Sequence, residues 1–558
     1  MKYFDKKEFV YMPTVTEYID YACQKFANNT AFVIKEKDES GKNVFTDITY
    51  KKMLEDIHAL SESMIEKDLC GKNIAILGVN CYEWVITYLS VMSIGSVVVP
   101  LDALLGGDDI KSYIEFADVS AIFYTKKMID KLEGVKADVK HFHLDGKEEN
   151  SVYELINAGN ALIADGSHKY SEVVLDKDAT AALLFTSGTT AVAKTVMLTQ
   201  NNLASNIYDL VKMLDLYPTD VNTVVLPLHH TLSSTGVLLF LVNGVKNAFV
   251  SGLKIKQAFA DYKPTVLVCV PLIAEKLQKT ILKTAEASGK IKTMKFALKL
   301  GAFLEKFGID IRKKLFGSVY KVLGGNLRLV ICGGAALEPS IHKWFDGIGL
   351  KVLQGYGLTE TSPVLSAERV GKNRWGSVGF PMSHVEIEIE NPNEFGIGEI
   401  KAKGPNVMKG YYKNLDATDE VLKDGWFYTG DLGYIDSDGY LFITGRHKNV
   451  IVLKNGKNVY PEEIEMHLTG LIYVTECLVY ESDDGLSVSA NIVYDKEYFK
   501  DKPLNEVEKI IKSDVESINE KLSSYKRLKD ISISTDPMLK TSTSKIKRKE
   551  NVEILKTR

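Results

Sequence analysis

The sequence predicts an α/β protein: a large N-terminal domain of mostly parallel sheets with helices, a β-rich subdomain, and a small α/β C-terminal domain. Three observations lead there. Short, fully apolar runs alternate with helix-patterned segments through most of the chain, as strands buried on both faces of a parallel sheet do. After about Gly376 the pattern changes to strict alternation, the signature of half-exposed antiparallel strands. Finally, Gly445-Arg446-His447-Lys448-Asn449 interrupts the β run with charge, and the residues beyond carry a pattern of their own. At 558 residues the chain exceeds what one core can organise and points to two to four domains or subdomains.

Taken in order, Val44 to Leu60 and Glu83 to Met92 carry helical spacing, while Asn73 to Gly78 (NIAILG) and Ser96 to Pro100 (SVVVP) are β-rich. The rhythm recurs at Ala121 to Tyr124, Thr223 to Leu226, Thr265 to Val270 and Leu327 to Cys332. In the subdomain, 376–445, Val385 to Glu390 (VEIEIE) and Gly398 to Lys403 (GEIKAK) alternate. Asp436-Ser437-Asp438-Gly439 is a hairpin turn between Leu432 to Ile435 and Tyr440 to Ile443. The reading closes the N-terminal domain at 1–445 and gives 449–558 to the small one. There Glu462 to Leu468 is helical, Glu476 to Tyr480 and Ser487 to Tyr494 are strands, and Leu504 to Leu522 is a long amphipathic helix.

Composition removes several classes of function. A hydrophobic fraction of 45% with 25% charged residues is that of a soluble globular protein. A net charge of −4 points away from nucleic acid or any other polyanion. The six cysteines are scattered, with no C-x-x-C pair, which argues against a zinc site or a disulfide framework and fits the cytoplasm. The N-terminus lacks a signal-peptide apolar core. The most apolar windows, Val85 to Pro100 and Thr235 to Val250, are interrupted by polar residues or glycine and fall short of the roughly 20 residues a span needs. Membrane contact is therefore expected to be peripheral at most.

The chemistry concentrates first in Leu183 to Met197, LLFTSGTTAVAKTVM. An apolar strand stops at Thr186-Ser187-Gly188-Thr189-Thr190, and Lys194 follows. Hydroxyls and backbone N–H groups in such a loop donate to phosphate oxygens while the lysine adds charge, which makes a polyphosphate cradle. Gly188 to Thr195 nearly spells G-x-x-x-x-G-K-[ST], with Ala193 in place of the second glycine. That pattern must open directly into a helix, whereas Thr195 to Leu198 reads as a strand. The helix is expected later, capped by Asn201 or Asn202, with Leu203, Ile207, Leu210, Val211 and Leu214 on one face. A kinase-type phosphate loop is thus set aside.

Further along, Gly355-Tyr356-Gly357-Leu358-Thr359-Glu360-Thr361 follows a strand. Its glycines admit close backbone approach and leave the Tyr356 ring to stack on a base. Thr359 offers a hydroxyl, and Glu360 a hard oxygen ligand suited to Mg²⁺ on a nucleotide phosphate. Tyr428-Thr429-Gly430-Asp431 places a carboxylate after a turn, suited to a ribose diol, and Arg446 comes fifteen residues later. Lys545 sits in the polar stretch Lys540 to Arg548 of a basic tail.

In this order and spacing the motifs resemble the adenylate-forming superfamily of acyl-CoA synthetases, aryl-CoA ligases, luciferases and peptide-synthetase adenylation domains, from about Ile48 to Arg548. Gly333-Gly334-Ala335 resembles the family's loop between acyl group and adenine, and Pro227-Leu228-His229-His230 its Pro-Leu-Phe-His element. The resemblance implies a mobile C-terminal domain hinged at 446–448, with Lys448 as pivot. It also implies ATP, Mg²⁺ and coenzyme A: a carboxylate attacks the α-phosphate of ATP, acyl-adenylate and pyrophosphate form, and a thiol displaces AMP. Lys545 and Mg²⁺ held by Glu360 would stabilise the charge developing on the α-phosphate, with Thr359 beside them. Thr186, Ser187, Gly188, Thr189, Thr190, Lys194, Gly334, Ala335, Tyr356, Gly357, Asp431 and Arg446 would bind nucleotide; His230, Gly236, Gly333 and Gly355 would face the acyl group.

The chain looks most like bacterial long-chain fatty acid–CoA ligases, for instance in Asn80 to Trp84 and Gly357 to Pro363. His230 to Phe240 (HTLSSTGVLLF) places small residues near the chemistry and Val237, Leu238, Leu239 and Phe240 beyond, either as a tunnel wall for a medium- or long-chain fatty acid or as a core helix. Ala191, Ala193 and Thr195 replace the second Gly, the Pro and the last Gly of the usual phosphate loop. Ser544 replaces the usual Gly before the lysine, and Asn449 an acid common after the hinge. Two alternatives stay open. One is transfer to the phosphopantetheine thiol of an acyl carrier protein; the other is a non-catalytic acyl- or nucleotide-binding protein.

Overall fold

Strands that are apolar on both faces have to lie between two layers of helices, and the short runs read from the sequence do so. The computed structural model describes residues 9–37, 40–186, 194–250, 255–500, 502–540 and 546–557. In a seven-stranded sheet, Asn73–Leu77 lies parallel between Val97–Leu101 and Val119–Tyr124. Ile74, Ala75, Ile76 and Leu77 are all fully buried. Thr180–Phe185 joins parallel to Val97–Leu101, then Thr195–Thr199 turns back antiparallel to it, and the short Gly410–Tyr411 closes that edge. The phosphate loop therefore joins two antiparallel strands, as the rejection of a kinase-type loop requires.

A nine-stranded sheet carries the parallel run Lys351–Gly357, Leu329–Cys332, Val266–Cys269, Val221–Val224, Lys246–Phe249 and Thr30–Lys37. Antiparallel strands flank it at both edges: Val364–Ala367 and Phe380–Pro381 at one, Asn43–Thr49 at the other. The helix Thr231–Val242, hydroxyl-bearing over Thr231 to Thr235 and apolar from Val237 on, is buried almost throughout, as expected of a helix enclosed by other layers.

Local chemistry moves some expected boundaries. Val44 to Thr49 is not helical: it is the second half of a hairpin with Thr30–Lys37, and the helix Tyr50–Glu66 starts only after Thr49 caps the N–H of Lys52. Val44, Thr46, Ile48 and Thr49 are β-branched and suit a strand. Similarly, Thr199, not Asn201 or Asn202, caps the helix Gln200–Met213. Its hydroxyl accepts from Asn202 N–H at 3.0 Å, and the Asn202 side chain accepts from Thr199 N–H at 2.9 Å, a reciprocal box that uses asparagine in place of the usual acid.

The β-rich part pairs Glu386–Glu390 with Gly398–Lys403 and that strand with Trp426–Ile435, all antiparallel. The hairpin at Asp436 to Gly439 returns as Leu441–Arg446, so the strand runs through Gly445 and Arg446 and sets Asp431 opposite Arg446. A single turn, His447–Asn449, follows. Beyond it, Val474–Glu481, Val488–Tyr494 and Leu528–Ser534 form a three-stranded sheet over the helices Pro461–Thr469 and Leu504–Asn519. This unit has its own core, including Leu453, Ile464, Ile492, Val507 and Ile511. It rests on the helix Pro271–Ala287 by polar contacts: Lys279 Nζ donates to the Val474 carbonyl at 3.0 Å and Lys283 pairs with Asp495 at 3.0 Å. Among the described residues, no helix is long and apolar enough to cross a membrane.

Candidate active site

The parallel strands Val266–Cys269, Leu329–Cys332 and Lys351–Gly357 end side by side, the place where open α/β sheets bind ligands. The loops leaving these strands make the wall of the site. After Cys332, Gly333 is buried and Gly334 takes φ +83°, while Gly334 and Ala335 are exposed. A side chain on Gly333 would meet Leu232 at 3.4 Å and the Gly355 carbonyl at 3.6 Å. Two of the four residues read as acyl-facing, Gly333 and Gly355, thus meet at one spot, with Leu232 beside them, while His230 stands at the start of the helix Thr231–Val242 against His229. Gly236 lies one turn further along that helix, where a side chain would meet Val268 at 3.4 Å. Val237, Leu238, Leu239 and Phe240 pack into the core, and the cavity beside Gly236 measures about 10 Å³, room for a single water. Gly357 must be glycine, because a Cβ would sit 1.8 Å from the Pro363 carbonyl.

Tyr356 reaches from this strand to the β-rich part. Its hydroxyl donates to Asp431 Oδ2 at 2.8 Å, and Arg446 Nε binds Asp431 Oδ1 at 2.9 Å. Asp431 is buried, and burial together with its charge pushes the Tyr356 hydroxyl well up, so it stays a donor. The Asp431 backbone N–H donates to Thr429 Oγ1 at 3.1 Å, across a turn in which Gly430 takes φ +70°. A carboxylate held by a phenol and a guanidinium has two oxygens fixed in direction, which is what a vicinal diol requires.

Glu360 stands in the single turn Thr359–Thr361, half-buried like Thr359. That turn is tied down by backbone: Met408 N–H donates to the Glu360 carbonyl at 2.8 Å and Asn406 Nδ2 to the Thr361 carbonyl at 2.8 Å. The Glu360 carboxylate accepts from Tyr411 Oη at 2.9 Å, and Lys194 Nζ lies 5.5 Å from the centroid of the same ring. Lys194 also receives the Thr186 hydroxyl on its carbonyl at 2.9 Å. Lys448 faces the same space: partial desolvation and the like charges of Arg446 and Lys194 hold its ammonium below the usual lysine range, against the opposing pull of Asp431. Lys194, Arg446 and Lys448 thus feel one another's charge as a cationic ring that includes Asp431 and that Tyr411 links to Glu360, a set of charges fit for a polyphosphate. One carboxylate and one hydroxyl also fit Mg²⁺, which takes most of its ligands from water and phosphate oxygens.

Ser187, Gly188, Thr189, Thr190 and Lys545 lie outside the described residues, as do Ala191, Ala193 and Ser544. The chain on either side of Ser544 and Lys545 is anchored: Lys540 pairs with Ile546, Lys540 Nζ binds Glu476 at 2.6 Å, and Arg548 binds Glu465. Asn449, just past Lys448, donates to Glu462, which also faces Arg548.

Sequence reasoning missed Tyr411, the residue that links Glu360 to Lys194. It also missed Asp102, which lies 3.7 Å from His229. Burial, then the neighbouring His230 ring, hold His229 down to about 4 despite Asp102, so it is neutral near pH 7. The doubled histidine in Pro227 to His230 was the only signal in the sequence for that pair.

A cleft at strand ends with a diol grip, a cationic ring and an oriented carboxylate defines the class: a nucleotide-binding α/β enzyme. The chain belongs to the AMP-binding enzyme family, whose model matches residues 19–412, and the AMP-binding enzyme C-terminal domain matches 448–557. It is 29% identical over 515 residues to a long-chain-fatty-acid–CoA ligase of Mycobacterium tuberculosis, covering 87% of this chain and 84% of that one. To a chloroplastic long-chain-fatty-acid–[acyl-carrier-protein] ligase of Arabidopsis thaliana it is 28% identical, covering 85% and 75%. Among solved structures, an anthranilate CoA ligase in complex with anthranoyl-AMP superposes with TM-score 0.76 at 18% identity, covering 99% of each chain. ATP-bound MatB from Rhodopseudomonas palustris gives 0.71 at 24% identity, covering 97% and 98%. At such identities the structures speak for the fold alone.

Proposed function

We propose that this chain is an acid–thiol ligase that converts a medium- or long-chain fatty acid to its acyl-adenylate with ATP, releasing pyrophosphate, and then to acyl-CoA with release of AMP. The observation that carries the reading is the pairing of a diol grip (Asp431 with Tyr356 and Arg446) and an oriented acid (Glu360 with Tyr411) beside three cations. Asp431 takes the ribose hydroxyls, and Tyr356 presents its ring to the base. Lys194 and the hydroxyls from Thr186 to Thr190 take the β- and γ-phosphates. Glu360 and Thr359 hold Mg²⁺, which when bound offsets the charge on the phosphate oxygens. Lys545 donates to the α-phosphate as the fatty-acid carboxylate attacks. His230, Gly236, Gly333 and Gly355 border the acyl group, and fatty acids are favoured because long-chain fatty acid ligases stand among the relatives.

The small domain, 449–558, turns about Lys448 between the two steps. A contact built from Lys279 and Lys283 with a carbonyl and a carboxylate supports this, since polar interfaces between domains are readily exchanged. The plant relative favours a second acceptor, the thiol of an acyl carrier protein. Carboxylate-dependent exchange of pyrophosphate into ATP across a carboxylate panel tests the first step. Release of free acyl-CoA against loading of carrier protein then separates the acceptors. Absence of exchange with every acid would leave only a binding protein.

A further inference from the structure

We propose that the helix Ile291–Glu305 and the residues just after it form a docking surface for an anionic lipid bilayer, seating Phe296, Phe303 and Phe307 at the headgroup boundary. The helix is apolar on two opposite faces. One face packs inward through Met294 and Gly301, the latter so close that a Cβ would meet the Arg312 side chain at 2.9 Å. The other points to water: Phe296 is 66% exposed, Phe303 57%, Phe307 66% and Ile309 51%. Phe296 and Phe303 are two turns apart with Leu300 between them, so they form one ridge, and the Phe307 ring meets Phe303 edge-on at 5.2 Å. A surface helix normally turns polar residues outward, and an outward apolar ridge of this kind marks an interaction site.

Charge identifies the partner. Between Lys290 and Lys314 stand eight lysines and arginines against two carboxylates, in a chain whose net charge is −4. Arg312 binds both of those carboxylates, Glu305 and Asp310, and is itself buried. Seven lysines carry the rest, of which Lys292, Lys295, Lys299 and Lys306 run along one flank of the ridge, all exposed. Further on, Lys313 lines a concavity of about 400 Å³ together with Lys263 and Lys321. Aromatic residues over a lysine stripe are the composition of helices that lie in the plane of an anionic membrane, where the stems bury and the ammonium groups reach the headgroups. A second copy of this chain on the same patch would set lysine rows face to face, at a like-charge cost.

The surface shares no residue with the catalytic site, so its test runs without substrates. The full chain is sedimented with vesicles of phosphatidylcholine alone and with vesicles containing about one-third phosphatidylglycerol. Binding to the second, weakened by salt, is expected. Lys292→Glu with Lys299→Glu should lower it by at least about tenfold, since each lysine near such a surface contributes roughly fivefold. Phe296→Ser with Phe303→Ser should also lower it, with melting temperature and activity on micellar fatty acid retained in both variants. Equal binding to both vesicle types, or variants that bind like the parent, overturns the proposal. So does a concentration-dependent dimer, or capture of an acidic protein, that the variants abolish while vesicle binding stays the same.

Discussion

Asp431 and Glu360 are each oriented by a tyrosine hydroxyl, at 2.8 and 2.9 Å, yet the two regions around them are built differently. Asp431 is buried and also bound by Arg446 from the opposing strand, so its charge is balanced before any ligand arrives. Glu360 is half-buried and anchored chiefly by backbone, while Lys194 approaches the face of its tyrosine partner. The difference teaches what each region is prepared for. On the proposed reading the first region meets a neutral diol, and there the protein balances its own charge and fixes direction. The second, proposed for polyphosphate and metal, keeps charges of both signs for a ligand to balance.

The largest effect should come from removing the charge that, on the proposed reading, Lys545 of the C-terminal domain adds to the second region. Lys545→Ala is expected to lower adenylation by about 10²–10³, roughly 3–4 kcal/mol, the usual loss for one preorganised donor to developing charge. Supplied with preformed acyl-AMP, the variant should still make thioester. Near-normal ATP-dependent activity would remove Lys545 from the mechanism and leave the cationic ring of Lys194, Arg446 and Lys448 to account for it.

Lys448→Pro should divide the reaction differently. Proline fixes φ near −65° and removes an N–H, which stiffens the turn His447–Asn449 between the strand of Arg446 and the small domain. Pyrophosphate exchange should persist at the level of Lys448→Ala, which removes the same charge without fixing φ, while thioester formation falls strongly below that of Lys448→Ala, because only the rotation of the small domain is blocked. Loss of both half-reactions together would show that Lys448 serves the phosphates and not the pivot.

The two tyrosines give the most direct test of the comparison. Tyr411→Phe frees the Glu360 carboxylate and is expected to lower kcat/KM for ATP by about tenfold, about 1.4 kcal/mol, near the value of a hydrogen bond to a charged group. Tyr356→Phe leaves Asp431 with Arg446 and keeps the ring, so a loss of about threefold is expected. Pyrophosphate exchange measured across Mg²⁺ and ATP concentrations distinguishes them, since only Tyr411→Phe should shift the Mg²⁺ dependence. Equal losses with unshifted Mg²⁺ curves would erase the distinction.

This contrast also marks how much of the site was legible beforehand. The hairpin turn Asp436 to Gly439 is written in the sequence, but Asp431 faces Arg446 only because a register shift at Leu432 and Gly433 moves the pairing by one and the strand runs on through Gly445, where the charged run suggested a break. The glycines around Tyr356 and the apolar parallel strands were equally local signals. Tyr411 was not, because it reaches Glu360 only when Gly410–Tyr411 pairs with Val196 and Met197 on a distant strand. Val44 to Thr49 misled for a related reason: apolar residues on an exposed edge strand fit a helical period as well, and the cap at Thr49 decides between them. Val237 to Phe240 pack into the core, which is one of the two readings that the apolar run left open.

The smallest effect concerns the phosphate loop's departures from the usual pattern, of which Thr195 is the one within the described residues. It is fully buried at the start of the strand Thr195–Thr199, pairs with Phe185, and accepts the Tyr412 N–H on its carbonyl at 2.7 Å. An extended, paired position needs no glycine, and a β-branched residue suits it better than glycine does. Thr195→Gly should therefore cost about 1 kcal/mol of stability, a fall in melting temperature of at most about 4 °C in a domain of this size. The KM for ATP should change by less than about tenfold, under 1.4 kcal/mol. Denaturation and pyrophosphate exchange on the same preparation check both. A gain in exchange of about a hundredfold, some 2.8 kcal/mol, would mean that threonine impairs the natural loop, and the balance of charge around Glu360 would then belong to a binding protein rather than a ligase.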